Sequence, residues 1–452
     1  MSAEPLLRVA IEVVRVLTRT LPQGYGASPP LCGPNDRRTA ALIACSKGAI
    51  PQREKKMQQP SSQQPTEGDG PLAGYRVLDL SVNVLGPVAT QILGDMGADV
   101  IKIETPDGDY TRQVGPSRNP KMGALFLNTN RNKRSVVLDL KKPDARAALL
   151  DLVRSADVLV HSMRPGAAER LGVDYEAIRA VNPRIIHASA SGFRLDSERR
   201  DWPAFDDVIQ GASGVAGMMA RATGEPRYYP MVIADKLCGY ILASAIAMAF
   251  VWRERTGHGQ QVNVPMMDAM VNFNLIEHLW GATLDRPDLG VGYSRVFSPH
   301  RRPYPTQDGH ICVMAAMDNQ WLRLFDAIGR PELRDDPRFA TAELRTEHID
   351  ELYGALAEAI IGNTTAEWRR RFDAVDVPNG PVNSLEDLLV DPYLVQTGYF
   401  EHHEHPTEGA LVTPRIPVQF SDSPGRVRRL PPRLGEHTQE VLSEIRLPRD
   451  DA

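Results

Sequence analysis

Cysteine is scarce in this chain and never spaced for chemistry. The four cysteines, Cys32, Cys45, Cys238 and Cys312, stand far apart, with no C-x-x-C and no Cys/His ligand spacing. A structural zinc and a disulfide framework are thereby excluded, and reducing cytosol is the compartment that fits. The histidines, among them His161, His187, His258, His300, His310 and His437, form no HxxxH or HExxH pattern, so no metal site is implied. A polybasic footprint is missing too. Lys and Arg number 52 against 57 Asp and Glu, the net charge is −5, and nucleic acid is not an expected partner. The apolar core of the longest run, Leu237 to Trp252, is 16 residues and is interrupted by Gly239 and Tyr240. That is short of the ~20 a bilayer span needs, so the run reads as a core helix rather than a membrane anchor. Internal repeats are absent.

What is present belongs to a globular protein. A chain of 452 residues with 42% apolar and 24% charged residues suggests two to three domains. The first seventy residues differ from the rest. Residues 8–18 (RVAIEVVRVLT) read as one amphipathic helix, after which Pro, Gln, Ser, Gly and Lys dominate through Gly70. Glu4, Glu12 and the lack of a sustained apolar core speak against a targeting peptide. Residues 1–70 are read as an N-terminal extension, disordered or linker-like over 21–70, with the fold beginning near Leu72.

From there strands and helices alternate. YRVLDL (75–80) reads as a buried strand, VATQILGDMG as a helix and ADVIKIE (98–104) as a second strand. This is a β-α-β unit, the signature of a parallel α/β sheet. The first turn lacks GxGxxG, which leaves NAD as a weak alternative. Strands follow at 135–140, 157–162 and 184–191, with helices at 143–155 and 175–181. The fold class is therefore α/β, with a doubly wound parallel sheet. Its strand ends at Leu138–Lys141, Ser162–Arg164 and Ser189–Phe193 should gather at one edge, where such sheets bind ligands. Between about 290 and 395 the pattern changes to a short strand at 310–317 and helices at 318–329, 344–361 and 365–375, suggesting a smaller α+β domain.

The stretch YYPMVIADKLCGYILASAIAMAFVWRER (228–255) organises the candidates. Asp235 opens an apolar helix and reads first as its N-cap. The same placement, at the positive end of a buried helix, would keep a carboxylate ionised and poised to attack an electrophile, so Asp235 is the candidate nucleophile. Lys141, Arg164 and Arg170 follow strand ends, with Asn132-Lys133-Arg134 in a preceding loop; as a group they suit a phosphate-bearing ligand. Asp206, in the loop Phe205-Asp206-Asp207 before an apparent helix at 208–217, caps that helix or sits across the site from Asp235.

LAGYRVLDLSVNVLGPVATQILGDMGADVIKIE (72–104) resembles the N-terminal signature of family III CoA-transferases, a group that includes formyl-CoA and carnitine CoA-transferases and α-methylacyl-CoA racemases. NRNKRSVVLDLK (130–141), MRPGAAERLGVDYEAIRAVNPRIIHASASGF (163–193), VIADKLCGYILASAIAMAF (232–250), RERTGHGQQVNVPMMDA (253–269) and LGEHTQEVL (434–442) resemble the family in the same order. The resemblance implies a large CoA-binding α/β domain over 72–285, a small domain over 290–395 and a segment at 396–447 that returns to the large one. It also implies an interlocked homodimer. Asp235 matches the family's nucleophilic aspartate. Val84, Leu85, Thr105, Leu138, Lys141, Ser162, Met163, Arg164 and Arg170 match CoA-contacting positions. At Val84, Thr105 and Met163 some relatives carry polar or charged groups, so contacts there are apolar or through backbone.

Two departures narrow the chemistry. The racemases place a proton-moving His immediately before the residue matching Asp206; here it is Phe205, which transfers no proton. After Ser191-Gly192-Phe193 this chain runs Arg194-Leu195-Asp196-Ser197-Glu198-Arg199-Arg200 and has no tetraglycine loop, against oxalate or formate specificity. The implied activity is reversible transfer of CoA from an acyl-CoA to a carboxylic acid through an aspartyl anhydride and an aspartyl-CoA thioester, the thioester being a substrate and no cofactor being permanently bound. An α-methylacyl-CoA racemase-like enzyme and a non-catalytic CoA-binding protein are the alternatives. Arg199, Arg200, His300, Arg301 and Arg302 point to dicarboxylates only weakly, because solvent-facing charge explains them as well.

Overall fold

The computed structural model describes residues 70–446; the helix read at 8–18 and the rest of the N-terminal extension lie outside the described residues. Six parallel strands form the main sheet: β1 (Arg76–Asp79), β2 (Asp99–Glu104), β3 (Lys133–Val137), β4 (Val158–His161), β5 (Ile186–Ser191) and β6 (Gln261–Pro265). Their order is β3-β2-β1-β4-β5-β6. Side chains alternate between two buried faces, which is why these strands read as nearly continuous apolar runs. Val77, Val100, Val158, Ile186 and Ala188 enter one core, and Leu78, Ile101, Val136 and Leu159 the other. The first face is covered by α1 (Leu85–Asp95) and the later long helix. The second is covered by α2 (Pro143–Arg154), α3 (Pro165–Leu171), α4 (Tyr175–Val181) and the final helix Thr438–Arg446, through Val441.

The strand order turns back on itself between β1 and β4. Both strands point the same way, so the loops leaving their C-terminal ends part and open a crevice there. A buried charge cluster underlies its β1 side. Lys133 Nζ lies 3.0 Å from Asp79 Oδ2 and Lys102 Nζ 2.9 Å from Asp109 Oδ2, all four side chains being fully buried. Burial alone would raise the Asp79 carboxyl, but Lys133 and Lys102 outweigh it and hold it below the usual carboxylate range. The Lys102 ammonium also donates to the carbonyl of Ser81 (2.9 Å), tying the crevice loop to β2.

Several elements depart from the sequence reading. Lys133 and Arg134 begin β3 rather than lying in a loop, and the Lys133 ammonium reaches Asp79 beneath the crevice. Both are buried, and Arg134 pairs with Asp99, Glu440 and Glu444, so neither is free for a phosphate. The helix expected at 208–217 is two, α5 (Asp206–Ala212) and α6 (Val215–Thr223), parted at Gly214 with φ 98°. The one expected at 344–361 is broken at His348 into Ala342–Glu347 and Ile349–Ile360. The long helix α7 (Ile233–Thr256) has 24 residues, but only one side is buried. Cys238, Leu242, Ile246 and Phe250 face the core, while Tyr240, Met248, Val251 and Trp252 are more than half exposed. Gly239 sits where α7 crosses α1: a Cβ there would come within 2.8 Å of the Leu85 carbonyl oxygen.

Residues from Tyr304 to Val377 enclose a separate apolar core around Trp321, Phe325, Leu352, Trp368 and Phe372. Its sheet is three short antiparallel strands, Tyr304–Pro305, His310–Val313 and Asn379–Pro381. A hairpin, Phe400–His405 with Gly409–Pro414, follows. The chain then returns to the first sheet, where the Asn132 amide donates to the Arg426 carbonyl and its Oδ1 accepts from the backbone N–H groups of Arg428 and Arg429.

Candidate active site

The crevice is a cavity of about 650 Å³. Val82, Asn83 and Leu85 line it from the β1 end, Ser162, Met163 and Arg164 from the β4 end, and Gly166, Ala167 and Arg170 from α3. The β5 end and the following loop contribute Ala190, Ser191, Gly192, Arg200, Asp201, Trp202, Ala204 and Phe205, and Asp235 and Met266 close it. Of the positions expected to contact CoA, Leu85, Ser162, Met163, Arg164 and Arg170 share one cavity with Asp235. Val84 and Leu138 do not line it, since both side chains are buried in the cores beneath. Thr105 and Lys141 are exposed and outside it, following β2 and β3 further along the sheet edge.

Asp235 is not the N-cap. The helix starts two residues earlier, with Val232 as a cap that supplies no side chain, and Asp235 lies in the first turn. Its own N–H donates to Asp206 Oδ1 at 3.0 Å. Asp206, buried at the head of α5, accepts a second bond from Gln210 Nε2 (2.6 Å). Gln210 also donates to the Met231 carbonyl (3.0 Å) and accepts from the Tyr229 N–H (2.8 Å). One amide therefore ties Asp206 to the segment leading into α7. Gln210 was not singled out in the sequence, although Gln four residues after Asp is a pair that meets on one helix face.

The expectation of a readily ionised carboxylate also changes. The Asp235 carboxyl is pushed up to about 7, first by burial and then by the negative charge of Asp206. These outweigh the helix N-terminus because the N–H of Asp235 is already spent on Asp206, and because a half-buried carboxylate loses much of its hydration. The same burial, with Asp235 and Asp206, lifts the Cys238 thiol to about 12, so it is no competing nucleophile.

The arginines of the cavity differ in their freedom. Arg200 pairs with Glu169 and Asp201, and Asp201 Oδ1 accepts the Gly166 N–H at 2.8 Å, so the 194–203 loop is fastened to α3. Arg164 and Arg170 make no ion pair among the described residues. Two guanidinium groups at the β4 and α3 side, Arg170 with the Asp201 carboxylate nearby, suit a phosphate or a thioester-bearing anion. No His or Glu lines the cavity among the described residues. His161 and His187 instead flank an adjoining cavity of about 270 Å³, together with Tyr175 and Ser189, that shares Met163, Ser191 and Arg200 with the crevice. Burial, reinforced by His187, holds the His161 imidazole down to about 3, which makes it a poor base.

A parallel sheet with a crevice at its strand-order reversal, an acid of raised proton affinity and cavity-lining guanidinium groups suit an anionic ligand. Residues 72–438 match the model of CoA-transferase family III. The chain is 34% identical over 392 residues to the succinate–glutarate CoA-transferase of Agrobacterium fabrum, covering 83% of this chain and 96% of that one. It is 33% identical over 396 residues to a probable fatty acyl-CoA transferase of Mycobacterium tuberculosis, covering 82% and 98%. The crystal structure of an aspartate-to-alanine mutant of that mycobacterial protein superposes with a TM-score of 0.73 at 30% identity, over 83% of this chain and 99% of that one. The chain belongs to the family III CoA-transferases. It is an enzyme that transfers CoA between an acyl-CoA and an acid.

Proposed function

We propose that Asp235 carries the transfer covalently. Its carboxylate attacks the thioester carbonyl of the donor, forming an acyl–aspartyl anhydride and expelling CoA thiolate. The thiolate attacks the aspartyl carbonyl, releasing the donor acid and leaving an aspartyl-CoA thioester. The acceptor carboxylate then attacks that thioester, giving a second anhydride and thiolate. Return of the thiolate to the acceptor's acyl carbon yields the new acyl-CoA and restores Asp235. Each exchange between weak nucleophiles is thus divided into easier steps. The supporting observation is the position of Asp235 in the crevice, its backbone held by Asp206 and its carboxyl facing the same cavity as Arg164 and Arg170. Phe205 at the head of α5 and the absence of a cavity-lining His or Glu among the described residues favour this over α-proton chemistry.

Leu85, Ser162, Met163, Arg164 and Arg170 would hold CoA within the crevice, and the exposed Lys141 and Thr105 its nucleotide end along the sheet edge. The enzyme acts as a homodimer in this reading, the bare faces of α7 and of α8 (Met266–His278) meeting a second copy; Met248 is 70% and Ile276 76% exposed. The test is Asp235→Asn. Loss of transfer with CoA binding retained supports the assignment; unchanged turnover contradicts it.

A further inference from the structure

The polar and charged groups on the acyl side of the cavity are already engaged. Ser191 Oγ donates to the Phe193 carbonyl (2.7 Å) and accepts from Asn263 Nδ2 (3.0 Å). Arg200 is neutralised by Glu169 and Asp201, and Asp201 is held by the Gly166 N–H. Arg199, which the sequence offered as a dicarboxylate contact, stacks its guanidinium over the Trp202 ring at 4.8 Å. His300, Arg301 and Arg302 do not line the cavity; His300 lies against Gly354 in the separate core. The cavity-lining cations that make no ion pair among the described residues, Arg164 and Arg170, are both on the β4 and α3 side, where CoA carries its phosphates in the proposed reading.

Apart from Asn83 and Ser162 at the β1 and β4 ends, the remaining lining that shares the cavity with Asp235 is apolar, including Leu85, Ala190, Ala204, Met266 and the rings of Trp202 and Phe205. The rings are braced from behind. Trp202 meets Phe193 edge-on at 6.1 Å, and a Cβ on Gly192 would come within 2.3 Å of Ala204 Cβ, so this wall is packed directly on the end of β5. Yet Trp202 is 54% and Phe205 65% exposed, leaving ring surface open toward the cavity for an occupant to cover. A second carboxylate placed there would lose water beside Asp235 and Asp206, and the one cation lining that side among the described residues, Arg200, is already paired.

We infer that the acyl group this enzyme holds against Asp235 is apolar, an aliphatic or aromatic monocarboxylate, with Trp202 and Phe205 as the side chains that select it. The inference rests on the CoA-transfer reading and adds the class of acid to it. One apolar group more or less in such a pocket changes kcat/KM by about tenfold or more, and an uncompensated charge by at least as much.

The full-length protein is given hexanoyl-CoA, phenylacetyl-CoA, succinyl-CoA or glutaryl-CoA with acetate as the common acceptor, and acetyl-CoA formation is followed by mass spectrometry. Expected is a kcat/KM for the better apolar donor at least tenfold above either dicarboxylate thioester. Trp202→Ala and Phe205→Ala raise the KM of the apolar donor while the Kd of free CoA stays unchanged, which separates loss of the wall from loss of the fold. A smaller advantage, or preference for succinyl-CoA or glutaryl-CoA while transfer proceeds, overturns the acid class and leaves CoA transfer standing. Absence of transfer from all four donors overturns both.

Discussion

At the scale of single residues the site turns on the proton of Asp235. Below pH 7 its carboxyl is largely protonated and cannot attack, so kcat/KM is expected to rise with pH through a midpoint near 7. Asp206→Asn removes the nearby negative charge but keeps an oxygen for the Asp235 N–H, so it should move that midpoint to lower pH; an unmoved midpoint excludes Asp206 as a cause. The sign for stability is opposite. A folded carboxyl raised from 3.8 to about 7 holds a proton that the unfolded chain gives up, so stability falls as pH rises through that window. Asp235→Asn should therefore lower transfer by about a thousandfold or more, as loss of a covalent nucleophile does. It should also raise Tm relative to the parent at pH 8 and not at pH 3. Asp235 was legible in the sequence because an acid heading a long apolar helix stands out. Its proton affinity was not, since that depends on burial and on the charge of Asp206, 29 residues earlier in the chain.

At the scale of elements the crevice depends on charges and crossings that hold the sheet edge open. Asp79 neutralises Lys133 and approaches Lys102, both fully buried. Asp79→Asn leaves those ammonium groups short of a counter-charge and should cost about 3–5 kcal/mol in urea unfolding. A loss below 1 kcal/mol contradicts this role. Gly239→Val places carbon against the Leu85 carbonyl at the α1–α7 crossing and should cost about 1–3 kcal/mol by the same measurement. The strands and their shared edge were legible because buried parallel strands are runs of apolar residues bounded by turns. Lys133 and Arg134 were misplaced in a loop for the same reason: charged residues at the start of a strand break the apolar pattern, and only their partners Asp79, Asp99 and Glu444 explain their burial. Val84 and Leu138 follow β1 and β3 as expected but turn inward, a distinction that residue type alone does not carry.

At the scale of the whole molecule, half of α7 and much of α8 present apolar side chains that no other described residue covers. Sedimentation of the full-length protein should give a dimer, and charged substitutions such as Met248→Glu with Ile276→Glu should shift it toward monomer; a monomeric parent contradicts the pairing. The apolar length of α7 was legible, but not its division into a packed and a bare side. All of this serves one chemical event, and intact-protein mass spectrometry after addition of an acyl-CoA without acceptor tests it most directly. A CoA adduct on the peptide containing Asp235, converted to a hydroxamate by hydroxylamine and missing in Asp235→Asn, is the predicted result. Turnover with no adduct in single-turnover samples, or an adduct on another residue, would contradict it.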